Sequence, residues 1–283
     1  MKRILVPTDF STCANNAVNF AIQTAKIIPL QVTLIHALEL TGDLYTDYMA
    51  VSGEFSHSLL NEVTDKLSNL KSNIEETEGI IFETYVFVGT VKESIVQVAS
   101  EKNIDFIIMG TAGASGIKEK LWGSKTAGII AKSNVPVLAI PLEHTWKKPQ
   151  KILLTTNNFE KEPVLLDFLF ALTNLYKAEV HVAVFTNEEQ DNVITSMEHS
   201  RSIPAFKEAL TGQYHFETII VTHLFGKNFE ESLQEYTRQN EIDIVAMVTH
   251  KRSFTDRLFH PNIVKRLSYH TKIPLLAIPV IHE

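Results

Sequence analysis

The 283-residue sequence has little of several features that would indicate particular classes of protein. It contains one cysteine, Cys13, so it has no internal disulfide, and such cysteine usage is typical of a reducing compartment. No stretch approaches the roughly 20 apolar residues of a membrane span. The apolar part of residues 1–7 is also too short for a secretory signal peptide. These absences predict a cytoplasmic protein with no membrane partner.

Positive charge is scarce as well. The 26 Lys and Arg residues are outnumbered by 33 Asp and Glu residues, and the formal net charge is −7 at pH 7. A chain with this balance does not attract nucleic acid or acidic membranes as a whole, although a local basic pocket is compatible with it. The hydrophobic content of 45% and charged content of 21% are ordinary for a globular protein. We therefore expect a globular protein with no nucleic-acid partner.

The chain contains one pattern twice. Residues 2–9 return as 150–157, and residues 103–141 return without a gap as 241–279. The polar, proline-bearing stretch 144–149 joins the two copies. Since each copy has an ordinary domain length, we predict two domains, 1–144 and 150–283.

Within the first copy, short apolar runs alternate with stretches of helical periodicity. The predicted strands are 4–6, 32–37, 80–88, 106–109 and 135–140, and the predicted helices are 14–28, 56–74, 91–102 and 125–133. Alternating βα units form parallel, doubly wound sheets whose ligand crevice lies where the strand order reverses. We predict the α/β class, with two tandem, doubly wound, parallel five-stranded sheets of the Rossmann type.

The last strands of the two copies, 135–140 and 273–278, are apolar throughout. A strand of this composition at a solvated sheet edge would promote aggregation. Each ends in Leu-Ala-Ile-Pro, and proline is tolerated at the end of a strand. We predict that these two strands pair antiparallel and join the halves as a pseudo-symmetric pair.

The most specific motif follows the fourth predicted strand, where Gly110 and Gly113 are followed by Gly123 and Ser124 at the start of a helix. Glycine lets backbone N–H groups approach an anion closely. A helix N-terminus adds unpaired donors and the positive end of a dipole. The spacing therefore predicts a phosphate-binding loop. It fits neither the Walker A pattern nor the Gly-x-Gly-x-x-Gly fingerprint.

With Pro7-Thr8-Asp9 after the first strand, this glycine motif resembles the ATP-binding branch of the universal stress protein family, and the ending 135–141 is similar to the family's last strand. The resemblance extends over nearly the whole chain and implies a tandem member with a fold like that of adenine nucleotide alpha hydrolases. It implies ATP, ADP or AMP as the ligand, with or without Mg²⁺. The implied contacts are Pro7, Thr8 and Asp9 near the adenosine, the backbone of Ala37 at the adenine edge, Met109 beneath the nucleoside, Gly110, Gly113 and Gly123 around the phosphates, and Ser124, Lys125 and Thr126 as donors to them.

The second copy departs from the motif at each position. Val248, Lys251, Pro261 and Asn262 stand where the first copy has its glycines and serine, and Asn157 replaces Asp9. Valine disfavours positive φ, and proline lacks an N–H donor. We therefore expect one nucleotide per chain. Residues 248–266 carry five basic residues and one acidic residue, which suits another anion, an acidic partner or a solvated face.

Three classes of function stay open. The sequence shows no Ser-His-Asp order placed by a motif, no paired carboxylates beside the glycine loop and no metal-ligand spacing. The leading hypothesis is a regulatory stress-response protein in which nucleotide occupancy sets conformation or the choice of an unidentified protein partner. The alternatives are a slow ATPase or a self-phosphorylating or adenylyl-transferring enzyme, and a nucleotide-free interaction module. Fold alone does not separate these classes, and a homodimer stays open beside the intramolecular pair.

Three other features have simpler interpretations. We interpret Cys13 as a small buried helix residue and His36 as a core histidine at a strand end. We interpret residues 40–55 as a loop near the mouth of the pocket.

Overall fold

The computed structural model describes residues 3–39, 49–111, 124–156, 163–189, 191, 193–216, 219–250 and 272–280. The first half contains β1 (Arg3–Pro7), α1 (Thr12–Ile27), β2 (Gln31–Leu38), α2 (Met49–Glu78), β3 (Glu83–Val88), α3 (Val91–Glu101), β4 (Phe106–Gly110), α4 (Ser124–Lys132) and β5 (Val137–Ile140). The second half contains β6 (Lys151–Thr156), α5 (Pro163–Tyr176), β7 (Glu179–Asn187), α6 (Val193–Tyr214), β8 (Ile219–Gly226), α7 (Phe229–Gln239), β9 (Ile244–His250) and β10 (Leu275–Val280).

These strands form one ten-stranded sheet in the order β3-β2-β1-β4-β5-β10-β9-β6-β7-β8. The pairs within each half are parallel, and the strand order reverses between β1 and β4 and between β6 and β9. At the centre, β5 and β10 pair antiparallel, with Leu138 opposite Leu276. The α/β class and the pairing of the two last strands are therefore confirmed, and the two predicted five-stranded sheets are continuous with each other.

Several predicted boundaries were wrong, among them the end of α2, which lies at Glu78 and not at residue 74. The third strand begins at Glu83 and not at residue 80, because Gly79 adopts a positive φ of 69° directly after α2 and turns the chain. Helix α2 begins at Met49, so residues 49–55 are helical although we interpreted them as part of a loop. Residues 40–48 of that predicted loop lie outside the described residues. Helix α1 is capped by Ser11, whose hydroxyl accepts from the Ala14 N–H at 3.2 Å.

One face of the sheet carries a hydrophobic core that is continuous across both halves. Helices α1 and α2 of the first half and α5 and α6 of the second contribute to this core. At its centre the Thr24 and Tyr176 hydroxyls share a hydrogen bond of 3.0 Å, and both side chains are fully buried. The other face has two separate clusters, one beneath α3 and α4 and one beneath α7. The halves therefore share one core as well as one sheet.

The segment between the halves is held against both of them. The Asn16 amide donates to the carbonyls of Pro141 and His144, each at 2.8 Å. The Trp146 ring packs edge-on against Phe20 of α1 with a centroid distance of 4.8 Å. The buried carboxylate of Asp243 accepts from the backbone N–H groups at 150 and 151, at 2.7 and 2.9 Å. These contacts fix the connection in place.

Candidate functional site

The strand order brings three predicted segments to one edge of the sheet. Strand β1 lies between β2 and β4, and all three run parallel. Their carboxyl ends therefore place the Pro7-Thr8-Asp9 segment beside Ala37 on one side and Met109-Gly110 on the other. This is the point where the strand order of the first half reverses, the usual place for a ligand crevice in such sheets.

The turn after β1 is held by local hydrogen bonds of Thr8 and Asp9. The Thr8 N–H donates to the Ile35 carbonyl at 2.9 Å, and the buried Thr8 hydroxyl accepts from the Phe10 N–H at 3.1 Å. The Asp9 carboxylate accepts from the Ser11 N–H at 3.1 Å. Phe10 itself lies in the left-handed region with φ 60°, an uncommon conformation for a bulky residue. The turn thus holds Asp9 at the carboxyl end of β1 in a defined position.

His36 supports this turn from the neighbouring strand β2, a role that we did not predict from the sequence. Its Nδ1 lies 2.9 Å from the Thr8 carbonyl, and since a carbonyl only accepts, Nδ1 carries the proton. The Phe10 ring stacks on the imidazole with a centroid distance of 4.9 Å. The available signal was its place next to Ala37 on a strand adjacent to β1. His36 lies near the end of β2 as expected, but it is half-buried and not a core residue, and it has the added role of holding the Asp9 turn.

Charges on both sides of the crevice act on His36. Burial lowers the pKa of His36 below its ordinary value, and the Thr8 hydrogen bond and the negative charge of Asp9 partly oppose that change. The positive charges of Lys125 and Lys66 lower the pKa further. Asp9 and the exposed Lys125 at the start of α4 therefore both lie within electrostatic reach of one imidazole.

Gly110 is required for packing even before any ligand is considered. A Cβ at this position would lie 2.8 Å from the carbonyl oxygen of Cys13 and 2.9 Å from its Sγ. Real Cβ atoms do not approach backbone this closely, so the glycine lets α1 cross β4 at short range. The sequence argument assigned Gly110 to phosphate contact alone, and the structure adds this second reason. Cys13 is buried in the contact, as predicted.

The first turn of α4 is attached to the end of β4 through Thr126. The Thr126 side chain is buried, and its hydroxyl donates to the Gly110 carbonyl at 2.9 Å. A hydroxyl has one proton, so in this arrangement Thr126 orients the α4 N-terminus and does not itself donate to a ligand. Met109 is buried in β4 and packs in the core beneath α3 and α4.

Other predicted positions are located only in part. Gly113 and Gly123 lie outside the described residues, as do Asn157, Lys251, Pro261 and Asn262 of the second half. Ser124 is the first residue of α4. Within the described ranges, no three His, Cys, Asp or Glu side chains are grouped closely enough to hold a metal ion. None of the described helices combines the length and apolar character needed to cross a bilayer.

Comparison with known proteins gives consistent results for both halves. The model of the universal stress protein family matches the chain twice, at residues 1–141 and 148–279. Universal stress protein MJ0577 of Methanocaldococcus jannaschii is 33% identical over 153 residues, which cover 49% of this chain and 94% of that protein. Universal stress protein YxiE of Bacillus subtilis is 30% identical over 146 residues, with 49% and 97% covered. The solved structure of a universal stress protein from Archaeoglobus fulgidus matches the fold of 98% of both chains with a TM-score of 0.71 at 17% identity.

Proposed function

Because the chain belongs to the universal stress protein family, we propose that it is a regulatory protein with one adenine-nucleotide site, located in its first half. The observation that carries this proposal is the convergence of the Asp9 turn, the end of β2, Gly110 and the start of α4 at the strand reversal. Each of these parts has a chemical use toward a nucleotide.

The two ends of the site suit the two ends of a nucleotide. The Asp9 carboxylate accepts hydrogen bonds and therefore suits ribose hydroxyls or the adenine amino group, with the Ala37 backbone at the adenine edge. The start of α4 offers unpaired N–H groups, a positive dipole end and the Lys125 ammonium to phosphates. Gly113, Gly123 and Ser124 would complete the phosphate contacts. ATP, ADP and AMP all fit this polarity, and Mg²⁺ would relieve repulsion wherever a phosphate approached Asp9.

The chemistry favours binding over turnover. Among the described residues, the imidazole at the site is that of His36, which donates its Nδ1 proton to the Thr8 carbonyl and supports the turn. We therefore propose that nucleotide occupancy sets the conformation or the partner choice of the protein. A slow ATPase or a self-phosphorylating protein is the competing proposal, and ATP turnover above that of a glycine-loop variant would favour it.

Calorimetric titration of the full chain with ATP tests the proposal. We expect one site per chain, and two equivalent sites or none would contradict it. Gly113→Val should abolish binding while the protein stays folded, because a branched side chain obstructs the approach of the backbone to phosphate. The matched control is Gly212→Val on α6, where an added Cβ meets no atom within 4 Å, and it should bind ATP as the wild type does.

The cellular setting and the assembly of the protein are part of the same proposal. The single cysteine supports a cytoplasmic location. A protein partner is expected for a regulatory module, and a homodimer would add to the intramolecular pairing of the halves. Fractionation of cells and light scattering of the purified protein, with and without ATP, would test these two points.

A further inference from the structure

Helix α6 is divided by a proline. Pro204 lies inside the helix, and its missing N–H removes the bond that the Ser200 carbonyl would otherwise accept. The part before it, residues 193–203, is here called the latch segment. None of its described side chains, 197–203, is buried, whereas Leu210 beyond the proline is part of the core. In the described part of the latch segment, the contacts with the sheet are therefore made without a buried side chain.

Those contacts form a chain of four polar side chains. The Ser200 hydroxyl lies 3.0 Å from His223 Nδ1, and His223 Nε2 lies 2.7 Å from the Thr186 hydroxyl. The same Thr186 hydroxyl lies 2.8 Å from His199 Nδ1. Ser200 and His199 belong to the latch segment, His223 to β8 and Thr186 to β7. Thr186 is buried, so its hydroxyl has no bulk water to replace a lost partner.

This chain of hydrogen-bonded side chains is compatible with one protonated histidine but not with two. With both imidazoles neutral, every bond can be made in one direction, from Ser200 to His223 to Thr186 to His199, or in the reverse direction. One protonated ring is still compatible with all three bonds. With both rings protonated, His199 and His223 each donate to one lone pair of the Thr186 oxygen, and the Thr186 hydroxyl proton then has neither imidazole as its acceptor. Two positive charges then lie in rings whose centroids are 5.8 Å apart.

Among the described residues, no carboxylate is paired with His223 itself. Alternation along β8 places Leu224 toward α7 and His223 with Phe225 toward α6, so the charges of α7 lie across the sheet. On α6, Glu198 and Arg201 flank the pair and are exposed. On β7 the contact is the uncharged Thr186. Burial lowers the pKa of His223, and the charge of His199 lowers it further.

We propose that the latch segment is an acid-sensitive element: it is held on the sheet at neutral pH by the Ser200-His223-Thr186-His199 chain and released about Pro204 when both histidines are protonated. The direction of the pH dependence follows from the linkage between proton binding and closure of the latch segment. A histidine whose pKa is lowered in the closed state binds fewer protons there than in the open state. Closure is therefore complete above about pH 6.5, the ordinary histidine value, and is lost as the pH falls below it. The proposal does not depend on the nucleotide site.

Hydrogen exchange of the full chain, followed by mass spectrometry at pH 7.5 and 5.5 and corrected for intrinsic exchange rates, tests the proposal. In the wild type, protection of peptides within 193–203 should fall at the lower pH, by up to about tenfold because pH 5.5 lies about one unit below the ordinary histidine pKa. His223→Gln keeps a hydrogen-bonding group of similar reach that takes up no proton, so its protection should change less than about twofold. His57→Gln, at an exposed histidine of α2, is the matched control and should behave as the wild type.

Three results would overturn the proposal. They are unchanged wild-type protection, the same pH dependence in His223→Gln, and a loss of protection that spreads to β6 and β7 at the same pH. If His223→Gln does not fold, His199→Gln should give the same loss of pH dependence. The Cε1–H NMR titration of His223 in the wild type needs no variant, and its midpoint must coincide with that of the exchange.

Discussion

Adding a single methyl group at Gly110 tests how closely α1 and β4 are packed. In Gly110→Ala the new Cβ would lie 2.8 Å from the Cys13 carbonyl oxygen, 2.9 Å from its carbonyl carbon and 2.9 Å from its Sγ. Two of these atoms are backbone, so α1 as a whole must shift. Forcing extra volume into a packed core costs about 1–3 kcal/mol, and the backbone contact places this variant in the upper half of that range.

Gly128→Ala is the matched control on α4. Its Cβ would meet only the flexible end of Lys92, at 3.5 Å. Replacing glycine by alanine within a helix adds up to about 1 kcal/mol of stability. Urea unfolding of both variants beside the wild type should lower the midpoint for Gly110→Ala and leave it equal or higher for Gly128→Ala.

A double variant separates the two sources of the clash. Cys13→Ala with Gly110→Ala removes Sγ but leaves the Cys13 backbone in place, so the rescue should be partial. Complete rescue would show that the thiol alone resists the methyl group. A Gly110→Ala midpoint equal to that of the wild type would refute the argument that α1 needs a glycine here.

Two further predictions concern the shared core and the phosphate end of the site. Tyr176→Phe leaves the buried Thr24 hydroxyl without its partner and should lower the free energy of unfolding by about 1–2 kcal/mol. In a double-mutant cycle, adding Thr24→Val should recover part of that loss. Additive losses would contradict the hydrogen bond. Lys125→Ala should weaken ATP binding up to about fivefold, as expected for an exposed charge. Lys132→Ala, in the last turn of the same helix, should not weaken it. Equal effects of the two variants in calorimetry would indicate that the overall charge of the protein, and not a local contact of Lys125, attracts ATP.

The repeat shows which parts of the fold a local pattern can predict. The apolar final strands at 135–140 and 273–278 were enough to predict the antiparallel pairing, because an apolar edge must be covered and both copies have one. Element types were predicted well in the first half for the same reason, since hydrophobic periodicity reports burial residue by residue. The error at residues 49–55 came from a short stretch that contains Gly53 and Glu54, where tertiary context outweighs local preference.

Some features of the candidate site could likewise be predicted from the sequence, and others could not. The positions of Asp9 and Gly110 at strand ends were readable from the sequence, because a strand followed by a turn is a local feature. The nucleotide contacts themselves stay a prediction. Neither the support of the Asp9 turn by His36 nor the tie between Thr126 and the Gly110 carbonyl was readable, since each joins segments that meet only in the folded sheet.

By itself, the sequence determined the class of fold, the twofold repeat, the covered final strands and the difference between the glycine-bearing and glycine-poor halves. These properties depend on composition and on spacing within one segment. Only the tertiary structure decided that Gly110 makes room for Cys13, that Thr24 and Tyr176 meet between the halves, and that His199 and His223 share Thr186. The physical reason is that hydrogen bonds and steric contacts act over a few ångströms, and strand order brings together residues that the chain holds far apart.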